Sequence, residues 1–198
     1  TAYSLDMTDH GSAAASSLMN ALRATYDASV AVGYSPLVST SIYCGDYSKQ
    51  QILWVMAGNY AVSQGEYTGA ELRQMMEWLV NVKDNGANPI RHRNYMPVTS
   101  GMEYKVTEYE QGKFRLEELT INGAPLDDTA TYTVFVAGTD VWIENEVYCN
   151  CPMPENLKAK RMEYAIEGAE SRSCLKDSLA VSKQFPAPSE YLTIVQGE

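Results

Sequence analysis

Aromatic and acidic residues gather at two places in the 198-residue chain. Tyr95 precedes "MPVTSGM", and Trp142, Glu144, Glu146 and Tyr148 fall within "DVWIENEVY". Aromatic faces stack on flat rings, and a carboxylate accepts hydrogen bonds from ring amines or ribose hydroxyls, a combination that suits a nucleoside. The same residue types also serve a plainer purpose, with Tyr and Trp filling a core while the glutamates face water.

Other chemistries find little support. There is no Walker loop, G-x-G-x-x-G, H-E-x-x-H or G-x-S-x-G. The two histidines, His10 and His92, are far apart in polar stretches, so the chain cannot assemble a dinuclear metal centre for phosphoester hydrolysis. Four cysteines, Cys44, Cys149, Cys151 and Cys174, are too few for a disulfide scaffold and allow three pairings. The C-x-C of Cys149 and Cys151 has no companion knuckle for zinc. A formal charge of −10 argues against nucleic acid as a partner, because a polyanion needs a basic stripe. The densest basic stretch, "IRHRNY", would seat one phosphate or carboxylate at most.

The elements that must position these residues are written in periodicity. "YTGAELRQMMEWLV" places Leu72, Met75, Met76, Leu79 and Val80 on one helical face, with Thr68 and Glu71 spaced as a reciprocal cap. The face predicts buried Leu72, Met76 and Leu79. "HGSAAASSLMNALRATYD" predicts a second helix capped by Ser12, and "ASVAVGYSP" a short buried strand. "YCGDYSKQQILWVMAGNYAVSQGEY" reads as a turn at Gly45, a helix carrying Ile52, Leu53, Val55 and Met56, and a strand after Gly58. Beyond "KDNGANPIRHRN" the period becomes two through "MEYKVTEY", "KFRLEELTI" and "TYTVFVAG", with "INGAPLDD" as the turn between the last two. "NLKAKRMEYAIEGAE" reads as helix, and "PAPSEYLTIVQ" as a Pro-led closing strand. Helices concentrated early and strands late predict an α+β fold, a mixed sheet packed with helices. At 45% hydrophobic content, one domain over 1–198 is expected, with no membrane segment in this chain. A start at Thr1 rather than Met fits a processed or trimmed product.

Laid end to end, these blocks resemble the C-terminal domain of the 5'-nucleotidase family. "SIYCGDYSKQQILWVMAGN" resembles its G-x-I-x-x-G-D segment, helix and PFGN turn, and "YTGAELRQMMEWLV" its L-T-G-x-x-L helix. "PVTSGMEYKV" is similar to its S-S-G strand, and "LTINGAPLDDTATYTVFVAGTD" to its I-x-G-x-P-L-D, Y-x-V and T-N-D run.

The resemblance implies the substrate-binding domain of an extracytoplasmic phosphohydrolase of nucleotide catabolism. Its partner would be an N-terminal metallophosphoesterase domain absent from this chain. No cofactor is expected in this chain, since the divalent metals would belong to that missing catalytic domain, and no catalytic or metal-binding residue is assigned. Tyr95 falls where the family's first base-stacking aromatic stands, and Gly58 and Asn59 match the end of the PFGN turn. "GYSPLV" replaces N-G-G-x-I-R, so Val38 stands where an arginine would contact phosphate. "ENEVY" replaces the G-G-D-G-aromatic loop, putting Glu146 at the Asp and Tyr148 at the aromatic. The second stacking position falls near Thr139 or Asp140, with Trp142 two residues along as the substitute. The expected substrate contacts are therefore Tyr95, Trp142, Glu146, Asn59 and Gly58. The alternative is a degenerate binding or structural module that no longer recognises nucleotides.

Overall fold

The structure, a computed structural model, describes residues 3–34, 38–56, 58–81, 96–111, 113–138 and 153–197. In chain order the elements are α1 (Ala13–Thr25), β1 (Val30–Tyr34), α2 (Lys49–Val55), β2 (Ala61–Thr68), α3 (Gly69–Asn81) and β3 (Pro97–Ser100). They continue with β4 (Met102–Glu110), β5 (Lys113–Ile121), β6 (Ala124–Pro125), β7 (Thr131–Ala137), α4 (Glu155–Glu163), β8 (Ala165–Glu170), α5 (Ser171–Ser182) and β9 (Leu192–Gln196).

The strands form two mixed sheets, one ordered β3-β1-β7-β2-β8 and the other β6-β5-β4-β9. In the first, β1 and β7 run parallel and every other pair is antiparallel. Its central strands are unbroken apolar runs, Val30 to Val32 and Val134 to Ala137, buried on both faces as a covered sheet requires. In the second, Met102, Tyr104 and Val106 of β4 are buried while Glu103 is exposed, the alternation of a sheet with one wet face.

Gly101 joins the sheets. It sits between β3 and β4 at φ +78, where a Cβ would lie 2.3 Å from the Ser29 carbonyl oxygen. Only glycine permits both that backbone conformation and that approach, so one extended run can serve two sheets.

The caps follow the sequence. The Ser12 side chain accepts from the Ala15 amide at the start of α1. Ahead of α3, the Thr68 amide donates to Glu71 Oε2 at 2.8 Å and the Glu71 amide donates to Thr68 Oγ1 at 3.2 Å. Leu72, Met75, Met76, Leu79 and Val80 of α3 are all buried, as the periodicity predicts. Asn122 and Gly123, both at positive φ, make the β5–β6 turn.

Two expectations require correction. The stretch expected to be a single helix ends at Glu163, and its second half is β8, because the backbone from Ala165 to Glu170 pairs with β2. A further helix, α5, follows directly, so helices are not confined to the first half of the chain.

Candidate functional site

Strand direction gathers several chain ends at one edge of the five-stranded sheet. Tyr34 at the end of β1 is in register with Pro97 at the start of β3, and Val62 near the start of β2 with Ala137 at the end of β7. Ala61 pairs with Glu170 at the end of β8. Gly138, leaving β7, donates its amide to the Ala61 carbonyl. The segment after β1 returns to the same edge, where Val38 forms a bridge with Met56.

Gly58 and Asn59 lie here, on the approach to β2, and are knitted to the first turn of α5. The Tyr60 amide donates to Ser171 Oγ at 3.0 Å, and the Ser171 amide donates to the Tyr60 carbonyl at 2.8 Å. Asn59 uses both ends of its amide: Nδ2 donates to Glu170 Oε2, and Oδ1 accepts from the Arg172 amide at 3.3 Å. Glu170 and Ser173 complete a reciprocal capping pair. Arg172 reaches back and donates from one Nη to the Met56 carbonyl at 2.9 Å, while its Nε is buried without a hydrogen-bond partner among the described residues. At Gly58 a Cβ would meet the Tyr60 ring at 2.4 Å, so any side chain there would have to displace that ring.

Of the residues expected to contact substrate, Gly58 and Asn59 are thus placed at this edge. Tyr95, Trp142 and Glu146 lie outside the described residues, as do Thr139, Asp140 and Tyr148. The described residues nearest to them in sequence, Met96 and Gly138, flank β3 and β7 at this edge. Sequence reasoning missed Glu170 and Arg172. The signal available was the three-residue spacing of Glu170 and Ser173, a helix-start pattern.

The opposite end of β2 is closed. Lys160 Nζ donates to Glu71 Oε2 at 2.6 Å and sits 5.2 Å from the centroid of the buried Tyr67 ring. Burial raises the Glu71 carboxyl, but the Lys160 contact and the Thr68 donors outweigh it and hold the group below its usual range. Burial pushes the Tyr67 phenol up to about 12.

Among the described residues, two cavities lie at the four-stranded sheet. One of about 190 Å³ is lined by Glu103, Lys105, Glu118 and Glu190 among others, and one of about 490 Å³ by Glu77, Tyr109 and Arg115 with Phe114 and Leu116. The acidic lining of the first, whose Lys105 is already paired with Glu118, disfavours an anionic ligand. Among the described residues, no group of three or more His, Cys, Asp or Glu is placed to hold a metal ion, and no helix is long and apolar enough to cross a membrane.

The family described as "5'-nucleotidase, C-terminal domain" matches residues 5–139. Among solved structures, a 5'-nucleotidase precursor from Thermus thermophilus has a TM-score of 0.69 at 16% identity, covering 100% of this chain and 39% of that one. A NAD nucleotidase from Haemophilus influenzae has a TM-score of 0.65 at 13% identity, with coverages of 96% and 34%. A sulfate thiohydrolase, SoxB, also from Thermus thermophilus, has a TM-score of 0.61 at 16% identity, with coverages of 91% and 31%. No curated protein matches the chain in sequence. The chain thus spans 39% or less of the length of each of these three structures, and at such identities the likeness concerns the fold alone.

Proposed function

The chain belongs to the family of 5'-nucleotidase C-terminal domains, and from that premise we propose that it binds the nucleoside part of the substrate in a 5'-nucleotidase-type phosphohydrolase of nucleotide catabolism. The observation that carries the reading is the shared sheet edge. The start of β3, the end of β7 and the approach to β2 meet at the edge that holds Gly58 and Asn59, and in sequence Tyr95 precedes β3 while Trp142 and Glu146 follow β7. Tyr95 adjoins Met96, and Trp142 follows Gly138 by four residues, a span of at most about 14 Å of extended chain. In this reading Tyr95 and Trp142 enclose the base and Glu146 accepts a hydrogen bond from sugar or base.

The 198 residues act as one substrate domain. The divalent metals, their ligands and the chemical step belong to a metallophosphoesterase domain N-terminal to it in the parent protein, outside the cytoplasm. The purified chain alone therefore releases no phosphate from AMP with any divalent ion, because a two-metal site needs a ligand set this chain does not carry. Phosphate release by a homogeneous preparation would reject this division of labour.

Calorimetry with adenosine tests the recognition itself. Stacking contributes roughly 1–3 kcal/mol per ring, so binding is weak and Tyr95→Ala reduces it by about tenfold or more. The second reading, a module that no longer recognises nucleotides, is favoured by the apolar Val38 at this edge and by the likeness to a protein described as a sulfate thiohydrolase. Absence of any heat with adenosine, or indifference to Tyr95→Ala, would decide for it.

A further inference from the structure

We propose that Arg172, in the first turn of α5, holds an anionic oxygen of the ligand at the sheet edge, a phosphate ester oxygen if the ligand is a nucleotide. The identity of the ligand rests on the reading above; the anion chemistry rests on the arginine itself.

Three other arginines are committed to side chains. Arg23 donates to Ser100 Oγ at 2.8 Å, Arg73 is paired with Asp128 and Arg115 with Glu117. Arg172 differs from these three. Its guanidinium meets a main-chain carbonyl, that of Met56, and no carboxylate among the described residues. Five N–H donors in a rigid fork suit a phosphate or carboxylate bidentately, and here one donor is spent while the buried Nε has no partner among the described residues. Leaving a charged donor buried and unsatisfied is costly, and a bound oxyanion would remove that cost.

The surroundings do not supply the anion. Glu170 precedes Arg172, but its carboxylate is taken by Asn59 Nδ2 and by the amide of Ser173 in the capping pair. The first amides of α5 are likewise engaged, Ser171 with the Tyr60 carbonyl and Arg172 with Asn59 Oδ1, so the side chain of Arg172 is the unspent donor, not the helix end. Its position is fixed from both sides. Met56, which anchors the guanidinium, is bridged to Val38, so the charge arrives through α5 beside the start of the β1–α2 connection, where the local residue is apolar. Arg172 also lies beyond residues 5–139, the stretch the family matches. A half-buried arginine on main-chain support keeps its fork in place before ligand arrives, which lowers the ordering cost of binding.

The test is calorimetry on the full 198-residue chain with adenosine, AMP and inorganic phosphate, at about 50 and about 200 mM salt, for the wild type, Arg172→Gln and Arg172→Lys. The expected result is that Arg172→Gln weakens AMP by about tenfold or more and leaves adenosine within about twofold. Arg172→Lys, which keeps the charge but not the fork, should fall between. Wild-type affinity for AMP should drop with salt while that for adenosine does not. This comparison does not depend on a variant folding. Equal loss of AMP and adenosine in Arg172→Gln would overturn the proposal, as would affinity for AMP that ignores both salt and substitution. So would wild-type chain that binds neither AMP nor phosphate. If adenosine fails to bind but phosphate binds and is lost in Arg172→Gln, the nucleoside reading falls and the anion site stands.

Discussion

Strand β2 begins and ends beside the first turn of a helix, and the two helix starts are finished differently. At its end, α3 opens with Thr68 and Glu71 capping each other, and Lys160 from α4 closes the carboxylate. At its beginning, α5 opens with Glu170 and Ser173 in a similar pair, tied by Asn59 to the approach of β2. The first end pairs the carboxylate of its cap with Lys160. The second satisfies its main chain and leaves an arginine Nε buried with no partner among the described residues. A helix start whose capping carboxylate is matched by a cation is scaffold. One that retains an unmatched donor at a convergence of strand ends has capacity for a ligand, and its stability is not the maximum the local chemistry allows.

The largest effect expected from this contrast is at the closed end. Leu72 is fully buried on α3 beneath the capped turn, so Leu72→Ala should cost about 2–5 kcal/mol through lost transfer energy and a residual cavity. Urea denaturation reads this directly. A midpoint shift corresponding to less than about 1 kcal/mol would mean that the α3 face can collapse around the gap and is not the rigid scaffold described.

Next come the two caps, which should be similar in stability and different in binding. Thr68→Ala removes the acceptor for the Glu71 amide and should cost about 1 kcal/mol. Asn59→Ala removes two bonds between β2 and α5 at an exposed position and should also cost about 1 kcal/mol. Only Asn59→Ala should change ligand affinity. Equal binding in both variants would show that the open end is scaffold too.

How legible each end was follows from the kind of interaction that builds it. The Thr68–Glu71 cap and the buried stripe of α3 are local and periodic, so spacing alone predicts them. The buried runs of β1 and β7 and the Asn122–Gly123 turn are equally local. Residues 165–170 carry no apolar alternation, and Ala and Glu favour helix; pairing with β2 makes them strand, which is a tertiary decision. Gly168 at φ +71 was the one residue that contradicted a helix there. The buried side of α5 includes Ser171, Cys174 and Ser178 beside Leu175 and Leu179, so its apolar stripe is thin. Gly58 and Asn59 are named as substrate contacts through family resemblance, not periodicity. Arg172 was beyond reach because its partner is a main-chain carbonyl 116 residues away, and carbonyls carry no side-chain signature.

The smallest effect is the pH dependence of the closed end, and its sign is fixed. Glu71 has a folded-state pKa below its ordinary value of 4.5, because contacts from Lys160 and Thr68 outweigh the opposing effect of burial. A depressed carboxylate contributes stability above the unfolded pKa and loses it as pH falls through the folded one. Stability of the wild type should therefore decline below about pH 4.5, partly through Glu71. In Glu71→Gln the same side-chain shape remains without the titrating charge, so that part of the decline should vanish and the gap between variant and wild type should narrow with acid. The pair is partly exposed, so the gap at neutral pH should not exceed about 1 kcal/mol. Urea midpoints of both proteins at neutral pH and at about pH 3, well below the ordinary carboxylate pKa, measure it. A gap that stays constant or widens with acid would mean that Glu71 keeps its role when protonated. The closed end would then rest on the Thr68 hydrogen bonds alone, with Lys160 contributing nothing to the contrast.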